Sequence, residues 1–369
     1  MTKKIHIICF DVPFPADYGG VIDVYYKIQS LHKKELEIYL HVFEYGRPQQ
    51  DILKKYCKEV HYYKRKTSIL KALGTLPYVV SSRSDHQLID NLKRIDAPIL
   101  FEGLHTTLLL GKTLFKGRKF LVRTHNIEHQ YYKQLAANEK NLLKKLYYRL
   151  AAVKLKRYEK VLRHCDQILA ISQNEAAYFK EKFGEKVTFL PAFHPDQKLH
   201  ELSKKGYFAL YHGNLNIYEN MKAALYLIDV FKSIPYPLAI AGKTDDTKLL
   251  SKVDQHKNIS FISIKNEHQL RELFHRAHIN VLYSFNNSGV KLKLINALLQ
   301  SRFVIANQEV IKGAGLDSLC IIANDKKEII SQVLKTIEKD FLKEDLALRK
   351  EKLSLYSNQK NAKILIDLL

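Results

Sequence analysis

Short apolar runs alternate with helical patterns along the whole chain. In the first half, the apolar runs predict strands at residues 5–10, 38–43, 60–63, 98–101, 120–123, 167–171 and 187–190. In the second half, they predict strands at residues 207–211, 238–241, 259–261, 279–282, 303–306 and 320–322. Segments with helical apolar spacing lie between them, at residues 20–32, 85–94, 141–163, 220–233, 245–255, 267–277, 291–300 and 326–339. This alternation is typical of βαβ units, so we expect an α/β fold with doubly wound parallel sheets.

The two halves are wound alike and meet at a segment without periodicity. Residues 191–198, PAFHPDQK, carry two prolines directly after the last strand of the first half, and this favours a linker. We expect a Rossmann-like domain at residues 1–195 and a second one at residues 196–344, facing a central cleft. The last segment, residues 345–369, is predicted to be helical and to pack back on the first domain.

Length and charge agree with two domains and point to anionic partners. The 369 residues exceed what one hydrophobic core usually serves. Of the net charge of +22, residues 1–195 contribute most, with 34 Lys and Arg against 19 Asp and Glu; residues 196–369 hold 26 against 19. Such charge favours phosphorylated small molecules, acidic lipids or nucleic acid, although a solvated surface without a partner also carries it. No nucleic-acid-binding signature accompanies the charge, so nucleic acid is not an expected partner.

The first residues and the cysteines bear on location. The apolar run in MTKKIHIICF ends at Asp11 without a small-residue cleavage site, which favours a buried strand over a signal peptide. No apolar stretch reaches the roughly 18 residues of a membrane span. Four scattered cysteines show neither CxxC nor zinc-like spacing. We therefore expect a cytoplasmic protein, with peripheral attachment to the inner face of the membrane as an option.

Residues 141–163 combine helical periodicity with dense positive charge. From Lys140 to Arg163, nine basic residues accompany one acid, Glu159. A basic amphipathic helix with tyrosines suits an anionic membrane surface. An ordinary surface helix of a basic protein would show the same pattern, so both interpretations stay open.

A glycine loop follows the first predicted strand. In PFPADYGG, residues 13–20, Asp17 precedes Gly19 and Gly20 at the start of the first helix. Glycines at such a turn let backbone N–H groups approach a phosphate or a sugar. A tight loop that needs glycine for its backbone alone would have the same sequence.

A cluster of polar residues follows the strand at 120–123. The segment RTHNIEH contains Arg123, His125, Asn126 and Glu128, at the carboxyl edge where parallel sheets hold functional side chains. Histidine and glutamate side by side are candidates for acid–base work or for orienting hydroxyls. No third ligand stands at recognised spacing, so no metal site is expected.

Two turns of the second half are candidates for binding an anion. Gly213 and Asn214 follow the strand at 207–211, and Ser288 and Gly289 precede a helix whose first turn carries Lys291 and Lys293. Cations at a helix N-terminus oppose its dipole by roughly a few tenths of a kcal/mol each. A bound diphosphate, held by backbone N–H groups and lysine, would offset this cost.

These features, in this order, resemble the retaining glycosyltransferases of the GT-B fold, in particular glycosyltransferase family 4, or group 1. The loop PFPADYGG, the segment RTHNIEH and the passage RYEKVLRHCDQILAISQNE are similar to the family's N-terminal loop, central histidine segment and Ser-x-x-Glu passage. HGNLNIYEN, LAIAGK and GVKLKLINALLQSRFVIA are similar to parts of its donor domain. The similarity spans nearly the whole chain.

The resemblance implies a role for each candidate residue. The transferred sugar would lie near the catalytic candidates His125, Asn126 and Glu128. Asp17, Gly19, Gly20 and Arg123 would form the sugar and acceptor loop region. The implied donor-binding residues are Gly213, Asn214, Lys243, Ser288, Gly289, Lys291, Lys293 and Asn296. The implied reaction moves a sugar from a nucleotide diphosphate sugar, the co-substrate, to a glycan or lipid-linked acceptor, with no cofactor and no metal. The implied process is the synthesis of cell-surface polysaccharide or glycolipid.

Two departures from the family pattern keep alternatives open. Ser288 and Asn296 stand where the family commonly has two glutamates. The Asn296 amide oxygen can still accept a hydrogen bond from a ribose, but without charge assistance. A non-catalytic GT-B partner subunit and a sugar-nucleotide epimerase of the same fold therefore remain alternatives. A nucleic-acid binder would be recognised by steep salt dependence.

Overall fold

Strands and helices alternate in both halves of the chain, as the hydrophobic pattern predicts. The computed structural model describes residues 3–68, 71, 74–195, 199–202, 205–285 and 292–369. The chain divides into unit 1, Met1–His194 with Tyr356–Leu369, and unit 2, Pro195–Leu355. The sequence analysis placed the division after residue 195.

The sheet of unit 1 is parallel, with the strand order β3-β2-β1-β4-β5-β6-β7. Its strands are β1 (Lys4–Cys9), β2 (Glu37–Glu44), β3 (Glu59–Lys64), β4 (Ile99–Glu102), β5 (Phe120–Thr124), β6 (Gln167–Ala170) and β7 (Val187–Phe189). The central strands β4 and β5 are buried along their whole length. Helices cover both faces of such a sheet, so its inner strands are apolar on both sides.

Six helices accompany this sheet among the residues of unit 1 that the structure describes. They are α1 (Gly19–His32), α2 (Tyr78–Ser81), α3 (His86–Arg94), α4 (Glu128–Asn138), α5 (Leu142–Tyr158) and α6 (Gln173–Phe183). Side-chain oxygens of Asp85, Asn141 and Ser172 accept from backbone N–H groups at the starts of α3, α5 and α6, as N-caps do. The helix predicted at residues 141–163 ends at Tyr158 and continues as the 3-10 turn Glu159–His164.

Unit 2 repeats the same winding with the strand order β10-β9-β8-β11-β12-β13. Its strands are β8 (Ala209–Asn214), β9 (Leu238–Lys243), β10 (Ile259–Ser263), β11 (Ile279–Leu282), β12 (Phe303–Ala306) and β13 (Ile321–Ile322). Its helices are α7 (Tyr218–Phe231), α8 (Thr247–Asp254), α9 (Glu267–Arg276), α10 (Leu292–Gln300), α11 (Gln308–Ile311), α12 (Lys326–Thr336) and α13 (Lys343–Leu353). The core between these elements is built from apolar residues that are almost fully buried.

The C-terminal segment divides between the two units, which corrects the prediction that all of residues 345–369 pack on the first domain. Helix α13 stays with unit 2, where the buried Arg349 donates to the carbonyl oxygens of Leu298, Ser301 and Arg302. After the turn Ser354–Tyr356, helix α14 (Asn358–Asp367) packs against α1 in unit 1. Its buried Ala362 and Leu365 belong to the core of that unit.

Each sheet has one point where the strand order reverses. In unit 1 this point lies between β1 and β4, and in unit 2 it lies between β8 and β11. Open α/β sheets bind ligands at the carboxyl ends of the strands at such a switch point. Among the described residues, no helix has the length and apolar character to cross a bilayer.

Candidate active site

The carboxyl ends of β4 and β5 bring charged residues together inside unit 1. Glu102 is the last residue of β4, and His125 directly follows β5. Helix α1 passes these strand ends and carries Asp23 and Lys27 one turn apart on the same face. Asp23, Lys27 and Glu102 have no exposed surface, and His125 is 9% exposed.

A continuous network of ion pairs connects these residues. Lys27 Nζ donates to Asp23 Oδ2 at 3.0 Å and to Glu102 Oε1 at 2.6 Å. The other Glu102 oxygen, Oε2, lies 3.0 Å from Nε2 of His125. Arg123 donates through Nε and Nη2 to the two oxygens of Asp23, at 3.0 and 2.8 Å. Two anions and two cations therefore balance within the network, which is the condition for burying charge at tolerable cost.

The electrostatics keep both carboxyl groups ionised. Burial alone would raise the pKa of Asp23, but the Arg123 and Lys27 charges hold it below its usual range. Burial also acts to raise the pKa of Glu102, and the Lys27 charge and the His125 hydrogen bond keep it lowered. An ionised carboxylate only accepts hydrogen bonds, so the proton between Glu102 and His125 is carried by Nε2.

This arrangement leaves one buried nitrogen of the His125 ring without a hydrogen-bond partner among the described residues. With Nε2 donating to Glu102, the other ring nitrogen, Nδ1, has no hydrogen-bond partner among the described residues. The ring also packs edge-on against Phe10, with centroids 5.3 Å apart. A histidine held in this way can present Nδ1 to a ligand hydroxyl.

The side chains of Asp23, Glu102 and His125 also meet the geometric condition for holding a metal ion. One ligand atom from each lies within 4.8 Å of the others. The carboxylate oxygens, however, already accept from Lys27 and Arg123, and these two cations would repel a third. The residues present therefore fit an ion-pair network better than a metal centre.

A second buried carboxyl group lies at the start of α4. Burial and the nearby Glu175 raise the pKa of Glu128 to about 8. Its Oε2 lies 3.5 Å from Nε2 of His105, and its Oε1 has no partner among the described residues. Burial and the Arg83 charge hold the pKa of His105 well below its usual range. At neutral pH Glu128 therefore keeps its proton in the folded protein and can donate a hydrogen bond.

The glycine loop lies beside His125. A Cβ added at Gly20 would come 2.8 Å from the Phe10 ring, the ring that packs on His125, whereas Gly19 has open space around it. Asp17 is half-exposed and paired with Arg47 Nη1 at 2.8 Å. The structure thus brings Gly20 next to the Phe10 ring that packs on His125, and it pairs Asp17 with Arg47 at the surface.

Two further candidates of this segment have different surroundings. Asn126 is half-buried at the turn between β5 and α4. Arg123, predicted to line the sugar and acceptor loop, is fully buried. It donates to Asp23 and to the carbonyl oxygens of Leu190 and Pro191. We therefore correct its assignment: Arg123 fixes the strand ends from inside and has no surface open to a sugar.

In unit 2, the donor candidates Gly213, Asn214 and Lys243 lie on neighbouring strand ends. Asn214 ends β8 and is paired in register with Lys243, which ends β9. Gly213 is paired with Gly242, where an added Cβ would lie 2.3 Å from the Gly213 carbonyl oxygen. The two backbones approach this closely only because residue 242 has no side chain.

Lys293, in the first turn of α10, joins this strand end. Its Nζ donates to Asn220 Oδ1 at 3.2 Å and lies 5.3 Å from the centre of the Tyr211 ring. Asn220 in turn donates through Nδ2 to the Asn214 carbonyl oxygen at 2.9 Å. Burial and the Lys293 charge lower the pKa of the neighbouring His212 to about 3. Among the described residues that these contacts join, Lys293 carries the positive charge and the others are neutral and polar.

Of the four remaining donor candidates, the structure describes one. On the same helix as Lys293, Asn296 is half-buried, and its Oδ1 has no hydrogen-bond partner among the described residues. Ser288, Gly289 and Lys291 lie outside the described residues.

Sequence reasoning missed several members of both clusters. These are Asp23, Lys27, Glu102 and His105 in unit 1, and Tyr211 in unit 2. Glu175 and Asn220 stood in segments quoted for the family resemblance, but neither was selected as a site residue. A usable signal existed for Glu102, because an acid that ends a wholly apolar strand stands at the functional edge of a parallel sheet. Asp23 and Lys27 carried a weaker one, an acid and a base four residues apart on the buried side of a helix.

Comparisons with known proteins agree with this architecture. Residues 207–339 match the family model of glycosyl transferases group 1. A Klebsiella pneumoniae protein, described as an uncharacterized 44.6 kDa protein in the cps region, is 27% identical over 345 residues, which are 88% of each chain.

Two solved structures are similar over the whole chain. The lipopolysaccharide outer core galactosyltransferase WaaB, in its apo form, has a TM-score of 0.65 at 13% identity, covering 98% of this chain and 99% of its own. HepE from Anabaena, in complex with UDP and glucose, has a TM-score of 0.67 at 12% identity, covering 100% of both chains. The chain has the GT-B fold, and the resemblance to group 1 glycosyltransferases inferred from the sequence is confirmed.

Proposed function

We propose that this chain, GT-B in fold and matched in unit 2 to the group 1 glycosyl transferases, is a retaining glycosyltransferase. It would move a sugar from a nucleotide diphosphate sugar to an acceptor hydroxyl without a metal. One observation carries this proposal: the segment that matches the family, residues 207–339, is also the segment in which Lys293, Asn220 and Asn214 converge at a strand end.

On the donor side, the reaction needs a group that stabilises the leaving diphosphate. Lys293 supplies a positive charge at the end of β8, where its partner Asn220 contacts the Asn214 backbone. Such preorganised charge lowers the barrier when negative charge develops on the leaving group. The buried Asn296 Oδ1, which lacks a described partner, would accept a hydrogen bond from a ribose hydroxyl.

On the sugar side, the reaction needs groups that hold hydroxyls at fixed positions. His125 would accept a hydrogen bond at Nδ1 while Glu102 holds its Nε2–H. Glu128, protonated at neutral pH because burial raises its pKa to about 8, would donate one. The glycine loop at Gly19 and Gly20 would close the sugar site from the side of Phe10.

The relatives support the proposed substrates and pathway class. HepE was solved with UDP and glucose, WaaB is a lipopolysaccharide galactosyltransferase, and the Klebsiella relative belongs to a cps region. We therefore propose a nucleotide sugar donor, a glycan or lipid-linked acceptor, and a role in cell-surface polysaccharide or glycolipid synthesis. We assign the reaction to the cytoplasm; the four cysteines are free thiols in the structure.

Donor binding by Lys293 variants tests this proposal. Thermal shift and calorimetry against a panel of nucleotide diphosphate sugars should identify one donor that stabilises the protein. Lys293→Ala should weaken its binding by about 10- to 100-fold, because a charge-assisted hydrogen bond is worth about 1.5–3 kcal/mol. The matched control is Lys327→Ala, an exposed lysine on α12 of the same unit, which should bind the donor normally.

Product analysis separates the alternatives. A transferase releases the nucleoside diphosphate and forms a glycoside, whose anomeric configuration NMR reads directly. Stable donor binding without turnover would favour the non-catalytic partner subunit, which the Asn296 and Ser288 substitutions suggest. Conversion of the sugar nucleotide without an acceptor would favour the epimerase. The proposal fails if no nucleotide sugar binds.

A further inference from the structure

Helix α5 exposes a continuous row of large apolar side chains. Leu142, Leu143, Leu146, Leu150 and Val153, together called the leucine ridge here, are 80%, 79%, 54%, 55% and 49% exposed. Positions 142, 146, 150 and 153 fall on one side of a helix. The opposite side packs into unit 1 through the buried Ala152 and Leu155. A soluble surface rarely gathers so many exposed leucines in one place, and such patches mark interaction sites.

Positive charge flanks the ridge along helix α5. Lys144, Arg149, Lys156 and Arg157 are exposed on the same helix. The single acid between residues 140 and 163 is Glu159, which is 4% exposed. It accepts at 2.7 Å from both Tyr178 and Lys182, so its charge is neutralised inside the unit.

Neighbouring segments extend the same surface. Lys154 Nζ donates at 2.7 Å to the carbonyl oxygen of Gly74, which brings the loop of Leu76, 38% exposed, next to the helix. The ring of Tyr45, 61% exposed, lies 4.3 Å from the Arg65 guanidinium, and both residues are near enough to Tyr147 of α5 to influence its pKa. This mixture of leucine, tyrosine and basic residues is typical of surfaces that lie in the interface of a membrane.

The choice of occupant follows from the combination of the two features. Nucleic acid would neutralise the cations but leave the leucines in water. A second copy of the chain, placed symmetrically, would cover the leucines but bring two basic helices together. An anionic bilayer satisfies both, because acyl chains take up the leucines while lysine and arginine side chains extend to the headgroup phosphates.

We propose that the leucine ridge and its flanking cations form a docking surface for an anionic lipid bilayer, with α5 lying in the plane of the interface. The ridge contains none of the residues placed in the candidate sites, so lipid binding does not depend on the proposed transfer reaction. Only its consequence rests on that function: the enzyme would work at the membrane surface where a lipid-linked acceptor is presented.

Vesicle co-sedimentation of the full chain tests the proposal. The probes are phosphatidylcholine vesicles and vesicles that also contain phosphatidylglycerol. The wild-type protein should bind the anionic vesicles and release from them at high salt. Two triple variants, Leu142→Ser/Leu146→Ser/Leu150→Ser and Lys144→Glu/Arg149→Glu/Lys156→Glu, should each lower the partition coefficient by roughly 100-fold.

Matched controls carry the same changes on exposed positions of unit 2. They are Leu334→Ser/Leu348→Ser/Leu355→Ser and Lys248→Glu/Lys257→Glu/Lys335→Glu. Both should bind like the wild type and, like the ridge variants, keep a native circular dichroism spectrum. Wild-type protein that ignores anionic vesicles, or ridge variants that bind them fully, would overturn the proposal. A dimer in solution that dissociates in the leucine variant would also overturn the proposal. Unchanged transfer to a soluble acceptor by the ridge variants would show that any loss concerns docking alone.

Discussion

At the scale of single residues, Glu102 connects the two ends of the buried network in unit 1. One of its oxygens accepts from Lys27 and the other from His125, and none of these contacts is shared with water because Glu102 is fully buried. The carboxylate therefore balances a lysine and fixes a histidine tautomer at the same time. A change at this position affects both functions at once.

Replacing Glu102 with glutamine should destabilise the protein strongly. Glu102→Gln keeps the shape but removes a buried negative charge, and breaking a buried ion pair in this way costs about 3–5 kcal/mol. Denaturant unfolding should show this loss as a lower midpoint for unit 1. The control is Glu37→Gln, whose partner Lys4 lies 3.9 Å away on a partly exposed surface, and this variant should lose less than about 1 kcal/mol. Equal losses in both variants would contradict the role assigned to Glu102.

Individual site residues could be predicted from the sequence only where a local pattern marks them, and not where they come from distant segments. His125 and Glu128 could be selected because they stand in a polar cluster after a predicted strand. Glu102, the partner of His125, lies 23 positions away along the chain, and Asp23 lies 100 positions from its partner Arg123. No local pattern connects the members of either pair. Arg123 shows the opposite error: it was selected because it stands beside a predicted site. In the structure its guanidinium is paired with Asp23 inside the core.

At the scale of elements, three neighbouring strands share a chain of buried polar groups. His6 of β1 lies 3.0 Å from His41 of β2, which lies 2.8 Å from the Tyr63 hydroxyl of β3. His6 also meets the Ile95 carbonyl oxygen at 2.9 Å, and Asn91 donates to Tyr63 at 3.0 Å. Every hydrogen bond in this chain is satisfied when both histidines are neutral, because each ring then donates once and accepts once.

These hydrogen-bonded histidines should make the stability of unit 1 fall at acid pH. Burial lowers the pKa of His6, and burial with the His6 and His61 charges lowers the pKa of His41 well below its usual range. The unfolded chain takes up these protons as the pH falls through about 6.5, while the folded chain does not. The stabilisation is therefore complete above about pH 6.5 and is lost progressively below it.

Unfolding free energies measured from neutral to acid pH test this expectation. His41→Gln should reduce the slope of stability against pH by up to about 1.4 kcal/mol per pH unit, the value for one proton. The control His32→Gln, at an exposed position near the end of α1, should keep the wild-type slope. If stability fell with pH at the same rate in the wild type and the His41 variant, the hydrogen-bonded histidines would not be the cause of the acid sensitivity.

The elements that sequence reasoning found are those with strong apolar patterning. Strands β11 and β12 were predicted with their observed bounds, because each is a short buried run. Helices α4 and α6 were missed: their buried faces include Glu128, His129 and Glu175, so polar residues break the apolar period that would reveal them. A helix that carries site residues on its inner side is hard to recognise for this physical reason.

At the scale of the whole molecule, unit 1 depends on a helix from the far end of the chain. Helix α14 contributes Ala362 and Leu365 to the core beside α1. Asn358 also accepts from the His194 backbone at 3.2 Å and donates to its carbonyl oxygen at 2.7 Å. Unit 1 is therefore closed by residues that follow all of unit 2 in the sequence.

A charged residue in α14 should selectively destabilise unit 1. Leu365→Asp removes a buried leucine and places a carboxyl group in an apolar core, at a combined cost of about 3–5 kcal/mol. Differential scanning calorimetry should show the transition of unit 1 at a lower temperature, with the transition of unit 2 unchanged. Lys363→Asp, two residues earlier on the exposed side, should leave both transitions in place. A shift of the unit 2 transition instead would contradict the assignment of α14.

The division into two units could be predicted from the sequence, but not the point at which the C-terminal segment passes from unit 2 back to unit 1. The linker could be recognised from its prolines and lack of periodicity. The crossing was placed too early, because the pattern of residues 345–369 is helical throughout and does not show which sheet each half covers. The deciding contacts, such as those of Arg349 with the Ser301 and Arg302 carbonyl oxygens after α10, are formed between distant segments.

The position of α14 has a consequence for biosynthesis. Ribosomes release the chain from its N-terminus at about 5–20 residues per second, so the strands of unit 1 emerge well before residues 358–367. During that interval the side of α1 that packs against α14 is uncovered. All segments of unit 2 have then been synthesised, whereas unit 1 still lacks α14. The unit synthesised first is therefore completed last, and nascent chains halted before α14 are the form that chaperones should bind most strongly.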